Sequence, residues 1–335
     1  MNRILKFINE ARTTVLAGIL VALAFLQYGN TLGHDYAMDD MIVIGANERV
    51  KKGISGIPAL FSRYESEQLE DQYGYRPITL STFAIDQSVF GPSAFGGHLM
   101  NVVYFALLCI VMFLTLREIF PQYGQWLPFF ITLLYLFHPI HVEAVANIKS
   151  RDEILSMLFS LLALRACLRF VDHRKWQQAA VMTACMGLAF LSKEGSVTML
   201  AVFPLAVVLR TGVNWKAVLR VAAPVAGGLA LLVLGLALFS SGNVVDEMAQ
   251  TEGGGIVRES KIMGNAIFQP HQTVDRYATG TYILGNYLKN FLVPPPLVYY
   301  YGFNYLPITS FADPLVWLSI LVHLGLLFLA WRSYR

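Results

Sequence analysis

Charge is scarce in this chain. Asp, Glu, Lys and Arg make up 14% of its 335 residues, and hydrophobic residues make up 56%. A water-soluble domain carries roughly 25% charged residues, so the composition argues against a soluble globular fold. The net charge of +3 comes without any basic run, which argues against a nucleic-acid surface. Cysteine is equally sparse. Cys109, Cys167 and Cys185 all fall inside apolar segments, with no Cys-x-x-Cys pair. They read as small core hydrophobes, silent about redox compartment. No internal repeat is visible, whereas many transporters repeat their architecture in two halves.

What the chain has in abundance is long apolar runs. A helix needs about 20 apolar residues to cross a bilayer. Candidate spans lie at roughly 13–32, 97–116, 126–142, 153–171, 177–192, 196–210, 219–241 and 312–331. The fold class is an all-α polytopic membrane protein, a single domain over 1–335 with about eight spans. The first run lacks a clear small-residue cleavage site and reads as an uncleaved span. Lys and Arg flanks orient the bundle. Arg3, Lys6, Arg12, Arg117, Arg165, Arg169, Arg174, Lys175, Arg210, Lys216, Arg220, Arg332 and Arg335 all become cytoplasmic if the N-terminus is cytoplasmic and there are eight spans. That count requires Tyr282–Val293 to be re-entrant or surface-lying, ended by Pro294-Pro295-Pro296.

Two extracytoplasmic loops follow from this topology, about 33–96 and 242–281. The first carries nine acidic residues against five basic ones, and Ile78–Phe90 within it predicts an amphipathic surface helix. The second holds Gly253-Gly254-Gly255 and reads as flexible.

Four polar clusters fall on the extracytoplasmic side. Asp39 and Asp40 stand side by side where the first span ends. One alternative is a helix cap. The other is a cation site or a general base, because burial and a like charge both raise a carboxylate pKa. Tyr75-Arg76-Pro77 offers a guanidinium on extended backbone, suited to gripping a phosphate or to a loop salt bridge. In the third cluster, Pro139 starts a new helix on which Glu143, Asn147 and Arg151 recur at i, i+4 and i+8. Lys149 and Arg151 there defy the positive-inside trend, which an anionic ligand would explain; the alternative is a polar stripe facing water. His138 and His141 are three apart. They are metal ligands with Glu143 or a first-loop aspartate, or simply satisfied polar residues. In the fourth cluster, Lys193 again sits outside beside Glu194. It forms a local ion pair or meets a lipid phosphate at the bilayer surface.

Further short motifs accompany these clusters: Ile78-Thr79, His98-Leu99-Met100-Asn101, Val142 to Ala146, Gly195, Leu284-Gly285-Asn286-Tyr287-Leu288 and Pro294-Pro295-Pro296-Leu297. Their shared order resembles the transmembrane and tetratricopeptide-repeat O-mannosyltransferases. The likeness is to the membrane half of that family, without the repeats, within the C-type (GT-C) membrane glycosyltransferase superfamily.

The resemblance implies a GT-C-like helical bundle with a long first extracytoplasmic loop. It also implies an inverting transfer of a hexose, mannose in this family, from a polyprenyl phosphate donor to an acceptor hydroxyl on a protein Ser or Thr or on a glycan. Under it, Asp39 or Asp40 is the catalytic base, and Arg76, Arg151 and Lys193 bind the donor phosphate. His138, His141, Glu143 and Glu194 orient the site, and a divalent cation is an open question. The chain is expected in a bacterial inner membrane with its site facing the periplasm. The alternative function is a lipid-linked-sugar transporter or flippase, which would place ionisable groups near mid-membrane.

Overall fold

The structure is a computed structural model and describes residues 2–37, 39–61, 75–212, 216, 273–294 and 305–334. The chain divides into two compact units, Met1–Ser241 and Gly242–Arg335.

In the first unit, beside two short helices of the first loop (Glu48–Lys51 and Ile57–Leu60), the described helices are α1 (Asn2–Glu10), α2 (Thr13–Tyr28), α3 (Pro77–Phe90), α4 (Ala94–Ile119), α5 (Trp126–Phe137), α6 (Val142–Ala146), α7 (Arg151–His173), α8 (Trp176–Ser192) and α9 (Val202–Thr211). Helix α4 is the spine: α2 and α7 pack on it, and α8 packs on α7. Leu16, Leu20 and Ala24 of α2 meet Phe105, Cys109 and Phe113 of α4 and Leu161, Leu164 and Leu168 of α7 in one core. Large side chains such as Leu26, Leu134 and Leu205 point outward. An exposed apolar surface on this scale suits lipid and not water. Between such spans, association rests on close packing and on polar contacts rather than on a hydrophobic drive.

Among the described residues, five helical stretches are long and apolar enough to cross a membrane: Thr13–Gly33, Ala94–Ile119, Ile148–His173, Glu194–Thr211 and Pro314–Arg332. A sixth arises if α5 and the segment Pro139–Ala146, bent by 54°, count as one span. The bend has a local cause. His138 is extended ahead of Pro139, which lacks an N–H to continue the ladder. The expected span at 177–192 corresponds to α8, of 17 residues. The expected span at 219–241 lies outside the described residues, as does the glycine run at 253–255.

One expectation needs correcting. Glu143, Asn147 and Arg151 do not share one helical face. Helix α6 ends at Ala146, Asn147 is extended, and a single 3-10 turn (Ile148–Ser150) precedes α7. The Asn147 side chain accepts from the Lys149 N–H at 3.2 Å and caps that turn. A short polar side chain that bonds its own backbone competes with helix continuation.

The described parts of the first loop are packed rather than open. Helix α3 starts at Pro77, one residue ahead of the expected Ile78, and is closed by Gly91, whose φ of 70° suits glycine. Its Leu80, Phe83 and Ala84 form a second, smaller core with Val43, Ile44, Val50 and Leu60 of the first loop, and with Ala94 and Ile148. Helix α3 also touches α4 and α8, so the loop and the bundle hold it between them.

The two ends of the bundle differ in chemistry. At one end Arg117 donates to Thr13 at 2.8 Å, Arg165 and Arg169 pair with Glu118 at 2.8 and 3.2 Å, and Arg210 pairs with Asp172 at 2.6 Å. The opposite end of α7, about 35 Å away at 1.5 Å per residue, carries Arg151, Asp152 and Glu153.

In the second unit, α10 (Thr273–Leu292) packs on α11 (Pro314–Tyr334). The Ser319 hydroxyl donates to Thr281 O at 2.7 Å, and the Thr279 hydroxyl accepts from the Thr309 N–H at 3.1 Å. Helix α10 begins at Thr273, so the last stretch of the expected second loop is helical. It is not among the helices apolar enough to span, and it ends at Leu292, just before Pro294.

Candidate active site

Five consecutive residues, Lys149 to Glu153, gather most of the polar clusters into one network. Each takes its own set of partners, with Lys193 shared by Asp152 and Glu153. The Lys149 N–H donates to Asp40 Oδ1 at 2.7 Å, and its ammonium lies 3.6 Å from Asp39 Oδ2. The Ser150 hydroxyl donates to Glu143 Oε1 at 2.8 Å. Arg151 pairs with Asp86, Asp152 with Arg76 and Lys193, and Glu153 with Lys193.

The adjacent carboxylates have different surroundings. Asp40 is 1% exposed, and its second oxygen accepts from the Ala37 N–H at 3.0 Å. Burial pushes its carboxyl above the ordinary aspartate value, and the charge of Asp39 adds to the rise. The two backbone N–H groups and His98 oppose it without reversing it. Asp39 keeps its side chain 51% exposed, beside the Lys149 ammonium. One aspartate is fixed in the fold and the other faces outward, where a substrate hydroxyl could meet it.

Arg76 and Lys193 converge on one buried acid. Arg76 forms an ion pair with Asp152, and its other nitrogens reach Glu194 at 3.0 and 3.3 Å. Lys193 Nζ lies 2.6 Å from Glu153 and 3.6 Å from Asp152. Pro77 at the first position of α3 leaves Arg76 outside the helix, and the extended backbone of Lys193 ends α8. The Thr79 hydroxyl donates to Ser192 O at 3.0 Å and ties the two elements together.

Arg151 is placed differently from the expectation of a phosphate ligand. It is 0% exposed and pairs with Asp86 at 2.6 Å. It also donates to Asn101 Oδ1, Thr82 Oγ1 and Gly97 O at 2.7, 3.1 and 2.9 Å. Its guanidinium lies over the rings of Phe83 and Tyr104. With these donors occupied in the interior, it does not reach a surface where a lipid phosphate could bind. Instead it joins α3, α4 and α7. Gly97 permits the approach, since a Cβ there would sit 2.8 Å from Ile148. Asn101 completes the joint by donating to Asn147 O at 3.0 Å.

The remaining expected residues lie nearby in sequence but in varied settings. His138 Nδ1 accepts from the Ile140 N–H at 3.2 Å and caps the turn after α5. The His141 ring packs 4.0 Å from that of Tyr135 and 6.0 Å from that of His138, centroid to centroid. Glu143 and Glu194 are both exposed. Among the described residues, no three of His, Cys, Asp and Glu form a group that could hold a metal ion.

Asp86, Asp152 and Glu153 are members of the network that the sequence reading does not single out. Their signal is present in the sequence: three cations on an acidic face need counter-charges, and Asp152 and Glu153 directly follow Arg151.

Comparison with known proteins bears on the same region. Residues 77–240 match the family model described as dolichyl-phosphate-mannose-protein mannosyltransferase. A protein O-mannosyl-transferase of Caenorhabditis elegans is 31% identical over 153 residues, 44% of this chain and 22% of the relative. Protein O-mannosyl-transferase TMTC2 of Homo sapiens is 30% identical over 192 residues, 54% of this chain and 22% of the relative. Protein O-mannosyl-transferase TMTC1 of Mus musculus is 31% identical over 162 residues, 47% of this chain and 17% of the relative. The chain thus spans about a fifth of the length of the curated relatives it matches. No solved structure matches it. Through residues 77–240, in its membrane portion, the chain is similar to the protein O-mannosyltransferases.

Proposed function

We propose that this protein is a membrane glycosyltransferase that moves mannose from a polyprenyl phosphate donor to an acceptor hydroxyl, on protein Ser or Thr. The site faces the extracytoplasmic side, the periplasm of a bacterial inner membrane. The observation that carries this reading is the segment 149–153, which links an exposed aspartate, Asp39, to a pair of cations, Arg76 and Lys193. The names of the relatives support the sugar and the protein acceptor.

The chemistry follows from those groups. Asp39 takes the acceptor hydroxyl proton as its oxygen attacks the anomeric carbon. The bond from that carbon to the phosphate oxygen breaks, and its electron pair leaves with the polyprenyl phosphate. The leaving phosphate gains a negative charge, which Arg76 and Lys193 stabilise. Direct displacement inverts the anomeric centre. Arg151 and Asp40 position the site without touching substrate.

The test is incubation of the purified protein with polyprenyl phosphate mannose and a Ser/Thr-rich peptide. Release of free polyprenyl phosphate matched by mannosylated peptide is expected. Intact donor after prolonged incubation, from protein that remains folded, would overturn the reading.

A further inference from the structure

The cation pair Arg76 and Lys193 has an unusual arrangement of counter-charges. Both contact the same buried acid, Asp152, whose side chain is 1% exposed. Each also has an acid of its own at the surface. Arg76 holds Glu194, whose side chain is 63% exposed, and Lys193 holds Glu153, whose side chain is 53% exposed. Three carboxylates therefore surround two cations, one from beneath and two from the rim.

These acids differ in what displacing them costs. Asp152 has left water and has Arg76 and Lys193 as counter-ions, so removing it strands buried positive charge. Glu153 and Glu194 are themselves more than half exposed and can swing into solvent at a smaller cost, about 1 kcal/mol for a pair at the surface, with the two-nitrogen grip of Arg76 on Glu194 the stronger of the two. An incoming phosphate would compete with the outer acids and not with the inner one.

We infer that Asp152 is a positioning residue that aims Arg76 and Lys193 at a shared point, and that Glu153 and Glu194 are displaceable internal anions holding the place of the donor phosphate. This rests on the donor-site reading above and adds a regulatory consequence. The donor is a phosphodiester with one negative charge, and the released lipid is a monoester carrying close to two. Two bare cations would hold the product more tightly than the donor. The returning glutamates offset that preference and help to expel the product.

The expected effects have opposite signs. Glu153→Gln together with Glu194→Gln should tighten binding of polyprenyl phosphate by about 2- to 30-fold, the upper figure being the sum of two pairs of about 1 kcal/mol, which members of one network do not reach in full. Binding of polyprenyl phosphate mannose should tighten less. Asp152→Asn should weaken both at least about 10-fold. Both changes at the rim leave the buried acid in place, so the test survives if Asp152→Asn fails to fold.

The experiment measures binding of each lipid to the full chain in detergent micelles, for wild type, the double glutamine variant and Lys193→Met. Tighter product binding in the double variant, with weaker binding in Lys193→Met, is expected. Weaker binding in Lys193→Met with unchanged or looser binding in the double variant would overturn the place-holder role while the donor site stands. Unchanged binding in Lys193→Met would overturn the donor site and this inference with it.

Discussion

The Lys149 N–H donates to Asp40 Oδ1 at 2.7 Å, joining the end of the first span to the start of α7 across 109 residues of sequence. This bond holds Asp39 at the surface while its neighbour is locked inside. It also gives Asp40 a measurable signature in stability.

Burial raises the Asp40 pKa in the folded protein above its ordinary value of 3.8, and burial does the same to Asp86. The folded state therefore keeps these protons to higher pH than the unfolded chain does. Their favourable contribution is full below the unfolded pKa and is lost as pH rises through the folded one. Thermal midpoints in detergent, taken upward from about pH 4, should carry this downward slope from the two acids. Asp40→Asn should remove its share of the slope. An identical pH profile in wild type and Asp40→Asn would contradict the assignment.

Arg151 and Asp86 make a separate prediction. Breaking a buried pair by removing one partner costs roughly 3–5 kcal/mol, so Arg151→Met should unfold at markedly lower denaturant or temperature. Asp86→Asn should also destabilise. The double variant should fall well short of the sum, with a coupling of about 0.5–3 kcal/mol. Additive losses would show that the two do not act as a pair.

The bundle ends predict an accessibility pattern. In a background with Cys109, Cys167 and Cys185 replaced by alanine, Lys52→Cys in the first loop should react with an impermeant thiol reagent in intact cells. Lys175→Cys, just after α7, should react only once the cells are permeabilised. The reverse pattern would invert the proposed orientation.

Much of the fold can be read from local pattern. Runs near 13–32, 97–116, 153–171, 196–210 and 312–331 are apolar enough that hydropathy alone finds them, and the structure has helices of spanning length there. Pro77 and Gly91 bracket α3 in the sequence as they do in the structure. Long-range partnership is not legible. Arg151 breaks the positive-inside trend, which suggests a ligand. Its explanation is Asp86, far off in sequence and buried with it. The 3.6-residue period assumes an unbroken helix through Asn147, and a side-chain cap ends it there. Asp152 stands beside Arg151 in the sequence, but its partners cannot be read there, because Arg76 and Lys193 arrive from two other elements.

Lys193 supplies a graded test of the proposed phosphate site. A charge-assisted hydrogen bond contributes roughly 1.5–3 kcal/mol, so Lys193→Met should lower kcat/KM for the donor by about 10- to 150-fold. Lys193→Arg should retain part of the activity, because it keeps charge but changes shape. If Lys193→Met matched wild type, the lysine would be a local ion-pair partner only.

The most direct measurement is the rate of mannose transfer from polyprenyl phosphate mannose by Asp39→Asn, compared with wild type under one condition. Asp39 is half-exposed, and its carboxylate meets a surface ammonium rather than the buried backbone donors that hold Asp40. The amide should therefore leave the thermal midpoint close to wild type. It cannot take a proton from the acceptor. Loss of a general base typically costs about 10²–10⁴ in rate, and a drop of that size in a fully folded variant is the predicted result. Wild-type transfer by Asp39→Asn would contradict the account.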